Sequence, residues 1–287
     1  MSHEPIDLLH CGDTRRVGCY LLETDGGRAL FDCGPTSCLP ALRDGLARHG
    51  LGLGDIDHVL LSHIHLDHAG AVGTIVAECP GITVHVSAIG APHLVDPTRL
   101  EASARRLWGD AYDVLWGELQ PVPEDRIAIV GTRTLGLETF PTPGHAAHHV
   151  SYLHEDGTLY SGDAAGVRIA PASFVLPPTP PPEIDLEAWA RTIAELESRA
   201  PRRLALIHFG MFEDVERHLA SLRTTMRSWA GRVEHGMDEA TFVAAARADV
   251  EASDPEARAA YDRAAPYAQC HAGLARYWRK RREAADA

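Results

Sequence analysis

Cysteine is sparse and unpatterned: Cys11, Cys19, Cys33, Cys38, Cys79 and Cys270 are scattered over 287 residues, with no CxxC pair and no dense framework. A chain of this length does not depend on disulfides, so reduced thiols are the default. Basic residues are also short, with 27 Lys and Arg against 40 Asp and Glu, a formal net charge of −13. A protein that tracks a nucleic-acid backbone usually carries a basic field, so no nucleic-acid partner is expected. An anionic membrane surface is disfavoured on the same ground, whereas a small phosphate ester stays open as a substrate. The opening stretch MSHEPIDLLHCGD has neither the basic region nor the apolar stretch of a secretory leader, and no apolar run approaches a membrane span. The expected compartment is the cytoplasm, with no membrane partner. A nucleophile-elbow G-x-S-x-G and an internal repeat are missing as well.

What remains is ordinary globular material, 45% hydrophobic and 23% charged, enough for one large α/β domain or one domain with a helical appendix. Val17–Thr24 and Ala29–Asp32 flank Asp25-Gly26-Gly27, a hairpin signal. Ser37–His49 places Leu39, Leu42 and Leu46 at helical spacing, and His58–Ser62 suits a short buried strand. Ala69–Cys79 reads as a helix stopped by Pro80-Gly81, followed by a strand over Ile82–Val86. From about 91 to 123 a helical insertion, RLEASARRLWGDAYDVLWGEL, interrupts the rhythm and is itself broken at Gly109. Strands are expected at Arg126–Val130, Thr134–Phe140, Val150–His154, Thr158–Ser161 and Leu204–Ile207. PPTPPPE at Pro177–Glu183 reads as an extended link, and Asp185 as the N-cap of a helix over Leu186–Ser198. Beyond Phe212 the pattern is helical to the end, which divides the chain into a catalytic domain over 1–212 and a helical extension over 213–287.

The chemistry concentrates in His63-x-His65-x-Asp67-His68, four candidate ligands in six residues directly after an apolar strand. Residues i and i+2 at a strand end share a side, so His63 and His65 can converge on one ion. Asp67 and His68 point differently and suit a second ion. His145 in TPGH, Asp163 in SGD and His208 in LIHFG each follow an apolar strand and a tight turn. Strand ends along a sheet edge are where α/β architectures assemble sites. Any one of these histidines alone would read as a core residue. Five imidazoles and two carboxylates so placed read as ligands for two ions with positions open to water.

These residues resemble those of the metallo-β-lactamase superfamily, over roughly Asp7 to Phe212. The resemblance implies an α/β (α+β) chain folded as a four-layer αββα sandwich with a helical C-terminal extension. It also implies that His63, His65 and His145 hold a first metal and Asp67, His68 and His208 a second, with Asp163 bridging. Asp32 in FDCG matches the Asp of an early DTG-like turn, with Cys33 in place of Thr, and is implied to hydrogen-bond a ligand. His149 matches a further supporting position. Asp163, where broad-spectrum antibiotic-hydrolysing members carry Cys, disfavours lactam hydrolysis. His65, where flavo-diiron members carry Glu, disfavours oxygen reduction. The pattern looks closest to glyoxalase II-like and lactonase-like hydrolases.

Such a centre implies a metal-bound hydroxide that attacks a thioester, ester or lactone, with Asp67 as the catalytic residue that orients it and handles protons. Two divalent cations are expected, zinc first, with iron or manganese as substitutes. An iron-dependent persulfide dioxygenase and a small-molecule phosphodiesterase are the competing activities, and a small molecule is the expected partner in each. Among lesser candidates, Arg168 is read either as an anion ligand or as a solvated loop arginine. His148 is read as facing substrate or supporting the site. Trp108, Tyr112 and Trp116, with His93, are read as core packing or as a lid. Cys33 is read as a small buried residue. The basic RYWRKRRE (Arg276–Glu283) is taken as a solvated helix face or a subunit contact. Trp229, Phe242, Tyr267, Tyr277 and Trp278 offer apolar surface to the core or to a second copy, so a homodimer is one outcome.

Overall fold

A computed structural model describes residues 4–264 and 266–285. Among them, the strands form two six-stranded sheets, each built from one contiguous half of the strand order. The first runs β1 (Ile6–Asp7), β2 (Gly18–Thr24), β3 (Gly27–Phe31), β4 (His58–Leu60), β5 (Thr83–Val86) and β6 (Ile127–Ile129). The second runs β7 (Arg133–Thr134), β8 (Leu137–Pro141), β9 (Val150–Leu153), β10 (Thr158–Tyr160), β11 (Arg203–Leu206) and β12 (Gly210–Phe212). In the first sheet the antiparallel β2–β3 hairpin leads into the parallel series β3–β4–β5–β6. Thr24 pairs with Gly27, leaving Asp25-Gly26 as the turn.

The sheets face each other across one core. Leu30, Phe31, Val59 and Leu60 of the first meet Tyr152 and Ala205 of the second in a single apolar cluster. The Tyr152 hydroxyl donates across this interface to Leu61 O at 2.9 Å. Outside the first sheet lie α1 (Leu39–Arg48), α2 (Leu66–Ala69) and α3 (Val72–Glu78); Leu42 and Ile75 join the same cluster. Outside the second lie α7 (Leu186–Ser198) and α8 (Val215–Glu234), whose Trp189, Ile193 and Leu222 cover Leu159, Leu204 and Leu206. Strand period two accounts for β11, where Leu204 and Leu206 face the helices and Ala205 faces the other sheet. The order helix, sheet, sheet, helix is the expected four-layer sandwich.

The insertion folds as α4 (Ala91–Val95), α5 (Thr98–Trp108) and α6 (Tyr112–Trp116), with the break at Gly109 as read. After β12 the chain is helical: α8, then α9 (Glu239–Ser253), α10 (Arg258–Ala264) and α11 (Tyr267–Ala285). Trp229, Phe242, Tyr261, Tyr267 and Leu274 pack around Val167, Ile169 and Leu176, so the extension docks on the segment between β10 and α7. Asp185 caps α7 as expected, accepting from Ala188 N at 2.8 Å. Among the described residues no helix is long and apolar enough to cross a membrane.

Three boundaries differ from the sequence reading. Thr134–Phe140 is two strands, because Leu135 and Gly136 take positive φ of 51° and 88° and turn the chain between β7 and β8. The helix expected over Ala69–Cys79 starts at Leu66 and is interrupted at Gly70-Ala71, giving α2 and α3. β1 and β12, of two and three residues, carry too little periodicity to be read locally and exist through pairing with β2 and β11.

Candidate metal centre

The seven predicted ligands converge. His63 and His65 lie in the loop after β4, Asp67 and His68 in α2, His145 in the turn after β8, Asp163 after β10 and His208 after β11. His63 Nε2 and His145 Nε2 lie 3.0 and 2.9 Å from His65 Nδ1. His208 Nε2 is 3.4 Å from Asp67 Oδ2, and His68 Nε2 is 4.0 Å from the same oxygen. Asp163 spans the two groups: Oδ2 is 3.3 Å from His145 Nε2, while Oδ1 is 3.3 Å from His68 Nε2 and 3.7 Å from His208 Nε2. The sets His63–His65–His145, His63–His68–Asp163 and Asp67–His68–His208 each bring three ligand atoms within 4.8 Å of one another.

Two glycines make the approach feasible. Gly162, at φ 48°, would with a Cβ meet the Ser62 side chain at 2.5 Å and His149 Nε2 at 2.6 Å, so SGD needs glycine directly before Asp163. Gly144, at φ 138°, would meet Trp189 Cβ at 2.3 Å, so the TPGH turn can bring His145 in only without a side chain there.

The remote imidazole nitrogens are pinned. His68 Nδ1 lies 2.7 Å from Asp32 Oδ2, His145 Nδ1 2.8 Å from Pro178 O, and His208 Nδ1 2.6 Å from Arg16 O. Ser62 Oγ sits 3.0 Å from His63 Nδ1 and donates to Asp32 Oδ2 at 2.8 Å, while its amide donates to Asp32 Oδ1 at 2.8 Å. Asp32 is fully buried, and the role implied for it is carried by these bonds. His149 Nε2 accepts from the Asp163 amide at 3.1 Å, and its Nδ1 is held by Thr142 Oγ1 at 2.7 Å. Partners of this kind fix the tautomer and the aim of a metal-binding histidine.

Electrostatics divide the cluster. Burial pushes His63 and His65 well below the ordinary imidazole range, and neighbouring imidazoles add to the effect. Burial also opposes charge on His68, but Asp163, Asp32 and Asp67 outweigh it and hold its pKa well above that range. Burial disfavours the Asp67 and Asp163 carboxylates too, yet His68 with His208 or His145 reverses the balance and keeps both ionised. His68 Nε2 and Asp163 Oδ1 are buried without a hydrogen-bond partner. A cation between them, displacing the His68 proton, would satisfy both atoms, and five imidazoles with two carboxylates form a suitable donor set for divalent metals.

His65, Asp67, His145, Asp163 and His208 form the floor of a cavity of about 520 Å³, with His63 and His68 buried and outside its lining. Leu66, Leu100, Leu107, Trp108, Trp116 and Ile89 build an apolar wall, and Pro178, Pro182, Pro266 and Gln269 stand among the remaining lining residues. Trp108, Trp116 and His93 of the insertion thus line the cavity, whereas Tyr112 is buried beneath them beside Leu66. His148 also lines it, with burial pushing its pKa down to about 4. Both readings of Arg168 are corrected: it is buried, donates to Asp214 Oδ1 at 2.7 Å and Ala172 O at 2.8 Å, and lies 4.3 Å over the Phe212 ring. It braces the loop after Asp163 and is neither solvated nor a cavity residue. Cys33 is buried, with its thiol pushed up by burial and by Asp32, and belongs to the core. The Arg276–Glu283 stretch is largely exposed on α11, with Trp278 Nε1 donating to Ala230 O at 2.9 Å.

Several supporting residues escape the sequence reading. His10 stacks on Trp116 at 5.3 Å, reaches Leu115 O at 2.8 Å and lines the cavity. Ser62, Thr142 and the carbonyls of Arg16 and Pro178 carry no motif, and only the serine beside His63 had a local signal.

A profile of the metallo-beta-lactamase superfamily matches residues 12–210. A metallo-beta-lactamase fold-containing protein of Sulfurisphaera tokodaii is 29% identical over 181 residues, which is 59% of this chain and 67% of that one. A thioesterase of Emericella nidulans is 30% identical over 148 residues, 50% of this chain and 34% of its own length. An N-acyl homoserine lactonase of a Bacillus species is 28% identical over 162 residues, 48% and 58% of the two chains. The solved structure of a metallo-beta-lactamase family protein from Thermus thermophilus superposes with a TM-score of 0.65 at 21% identity, over 92% of this chain and 89% of that one.

Proposed function

This chain belongs to the metallo-β-lactamase superfamily, and from that premise we propose that it is a metal-dependent hydrolase of a thioester, ester or lactone with an apolar acyl group. The observation that carries the proposal is the two-sided placement of Asp163, one oxygen toward His145 and the other toward His68 and His208. His63, His65 and His145 would hold one cation, Asp67, His68 and His208 the other, and Asp163 would join them. A bound pair of divalent cations, zinc by preference, supplies Lewis acidity and a water of lowered pKa.

The chain's own residues do the rest. Asp67 is the more accessible of the two carboxylates, with 27% of its side chain exposed against 5% for Asp163. It is therefore assigned to orient the attacking water and to hold or pass a proton at Oδ2. Asp32, Pro178 O and Arg16 O keep three imidazoles aimed inward, and the apolar wall receives the acyl portion of the substrate. Relatives named as a thioesterase and an N-acyl homoserine lactonase support acyl transfer to water as the reaction class.

Purified protein loaded with zinc is expected to hydrolyse at least one member of a panel of acyl thioesters, esters and lactones, with bis(p-nitrophenyl) phosphate as the phosphodiester arm. His63→Ala is expected to abolish turnover, and Asp67→Ala to lower kcat by about 10²–10⁴ with the fold intact. Undiminished turnover in a folded Asp67→Ala variant would remove Asp67 from the chemistry. Hydrolysis of the phosphodiester alone, or thiol-dependent oxygen uptake by iron-loaded protein, would replace the acyl assignment.

A further inference from the structure

One contact between the helical extension and the catalytic layer is closer than any side chain permits. A Cβ on Gly273 of α11 would lie 2.0 Å from Thr179 O and 2.9 Å from the carbonyl carbon of Pro180. Glycine inside a helix is disfavoured relative to alanine, so the contact is kept against local helix preference. Thr179 is fully buried and donates from Oγ1 to Cys270 O, one turn earlier on α11, at 3.1 Å. The residue before it, Pro178, offers its carbonyl to His145 Nδ1 at 2.8 Å. Helix, strap and imidazole therefore form a continuous sequence of contacts: Gly273 and Cys270 seat Thr179, Thr179 fixes Pro178 O, and Pro178 O aims His145.

We propose that α11 is a positioning element for the candidate metal centre, acting through Thr179 and Pro178 on His145. This role rests on the assignment of His145 as a ligand made above. His145 shares a set with His63 and His65 but not with Asp67, His68 and His208. Loosening the strap should therefore weaken one of two binding steps and spare the other. General destabilisation of the fold would not discriminate between them. Thr179 and Gly273 touch neither the ligand atoms nor, by their side chains, the substrate cavity, so both are positioning residues.

The test is stepwise zinc binding by the full-length, metal-stripped protein, read by competition with a chromophoric chelator. His145→Ala identifies which step belongs to that ligand. Thr179→Val keeps the shape and removes the donor; Thr179→Ser restores it; Gly273→Ala inserts a methyl against the strap. Thr179→Val and Gly273→Ala are expected to weaken the His145 step by about 5- to 10-fold, somewhat less than loss of a direct ligand partner. The other step should change less than twofold, and Thr179→Ser should lie within twofold of the unmodified protein. Equal weakening of both steps, or no change in either for a folded variant, would overturn the role of α11. If Thr179→Val does not fold, Gly273→Ala decides. Failure of both to fold would make the seat a requirement of the fold itself and would also refute the proposal. Absence of any zinc binding by the unmodified protein would instead sink the metal assignment on which this role depends.

Discussion

Buried polar groups in this protein are set by their partners rather than by their chemical type. Asp32 has no accessible surface, yet its two oxygens are filled by His68, Ser62 Oγ and the Ser62 amide, so its burial leaves no acceptor stranded. His218 illustrates the opposite balance. It is 1% exposed, its Nε2 lies 2.7 Å from Ala165 O, and burial pushes its pKa down to about 4 despite that carbonyl. In the unfolded chain the same group titrates near 6.5. Above pH 6.5 it is neutral in both states; as pH falls toward 4 only the unfolded chain takes up a proton. Its share of stability is therefore complete above 6.5 and lost on acidification, by about 3 kcal/mol over the window. Urea unfolding of metal-stripped protein at pH 7 and 4.5 should show a pH dependence about 2–3 kcal/mol smaller in His218→Gln than in the unmodified chain. Parallel pH profiles would mean that His218 protonates normally in the fold.

At the level of elements, the insertion between β5 and β6 is the part most freely assigned to substrate. α5 has no buried residue at all, and Leu107 and Ile89 remain 38% and 57% exposed on the cavity side. Apolar side chains left open beside a catalytic floor are best explained by a ligand that covers them. Leu107→Ala should leave stability within about 0.5 kcal/mol, because little is lost from the folded core. It should raise KM for a long-chain acyl substrate by up to about tenfold while leaving kcat and the KM for an acetyl analogue near their original values. An equal rise for both substrates would place α5 outside acyl recognition. This element also marks how much was legible in the sequence. His63 to His68 are read because ligand spacing and a preceding apolar strand are local signals, and the Asp25-Gly26 turn and the Asp185 cap are local too. What stayed hidden depends on chain segments far apart. His10 meets Leu115 O across 105 positions, and Arg168 is buried only because Asp214 and Phe212 come to it from beyond β11. No short-range pattern encodes such pairings, which follow from how the two sheets and the extension close on each other.

For the whole molecule, the centre joins segments that are otherwise held only by the sandwich: the loop after β4, α2, and the turns after β8, β10 and β11. A cation pair bound there would favour the folded chain alone, since dispersed ligands from 63 to 208 do not meet in the unfolded state. Mass action then adds about 4 kcal/mol of stability for each site filled at a free metal concentration of 1,000 times its Kd. For a chain of this size each filled site corresponds to a Tm shift of about 8–16 °C. Dialysis against a strong chelator should lower Tm by about that amount per ion removed, and zinc should restore it, whereas magnesium, which prefers an all-oxygen octahedron, should not. The change should be local in hydrogen exchange, strongest in residues 62–68, 142–149, 161–168 and 206–210. The core formed by α8 and α9 around Trp229 and Phe242 should change least, because its apolar contacts do not include the ligand side chains. His63→Ala is the control: with two of the three ligand sets incomplete, chelation should move its Tm markedly less. A Tm indifferent to chelator in protein shown to contain metal, or equal shifts in both proteins, would mean that the ion sits elsewhere and that these seven side chains are gathered for another reason.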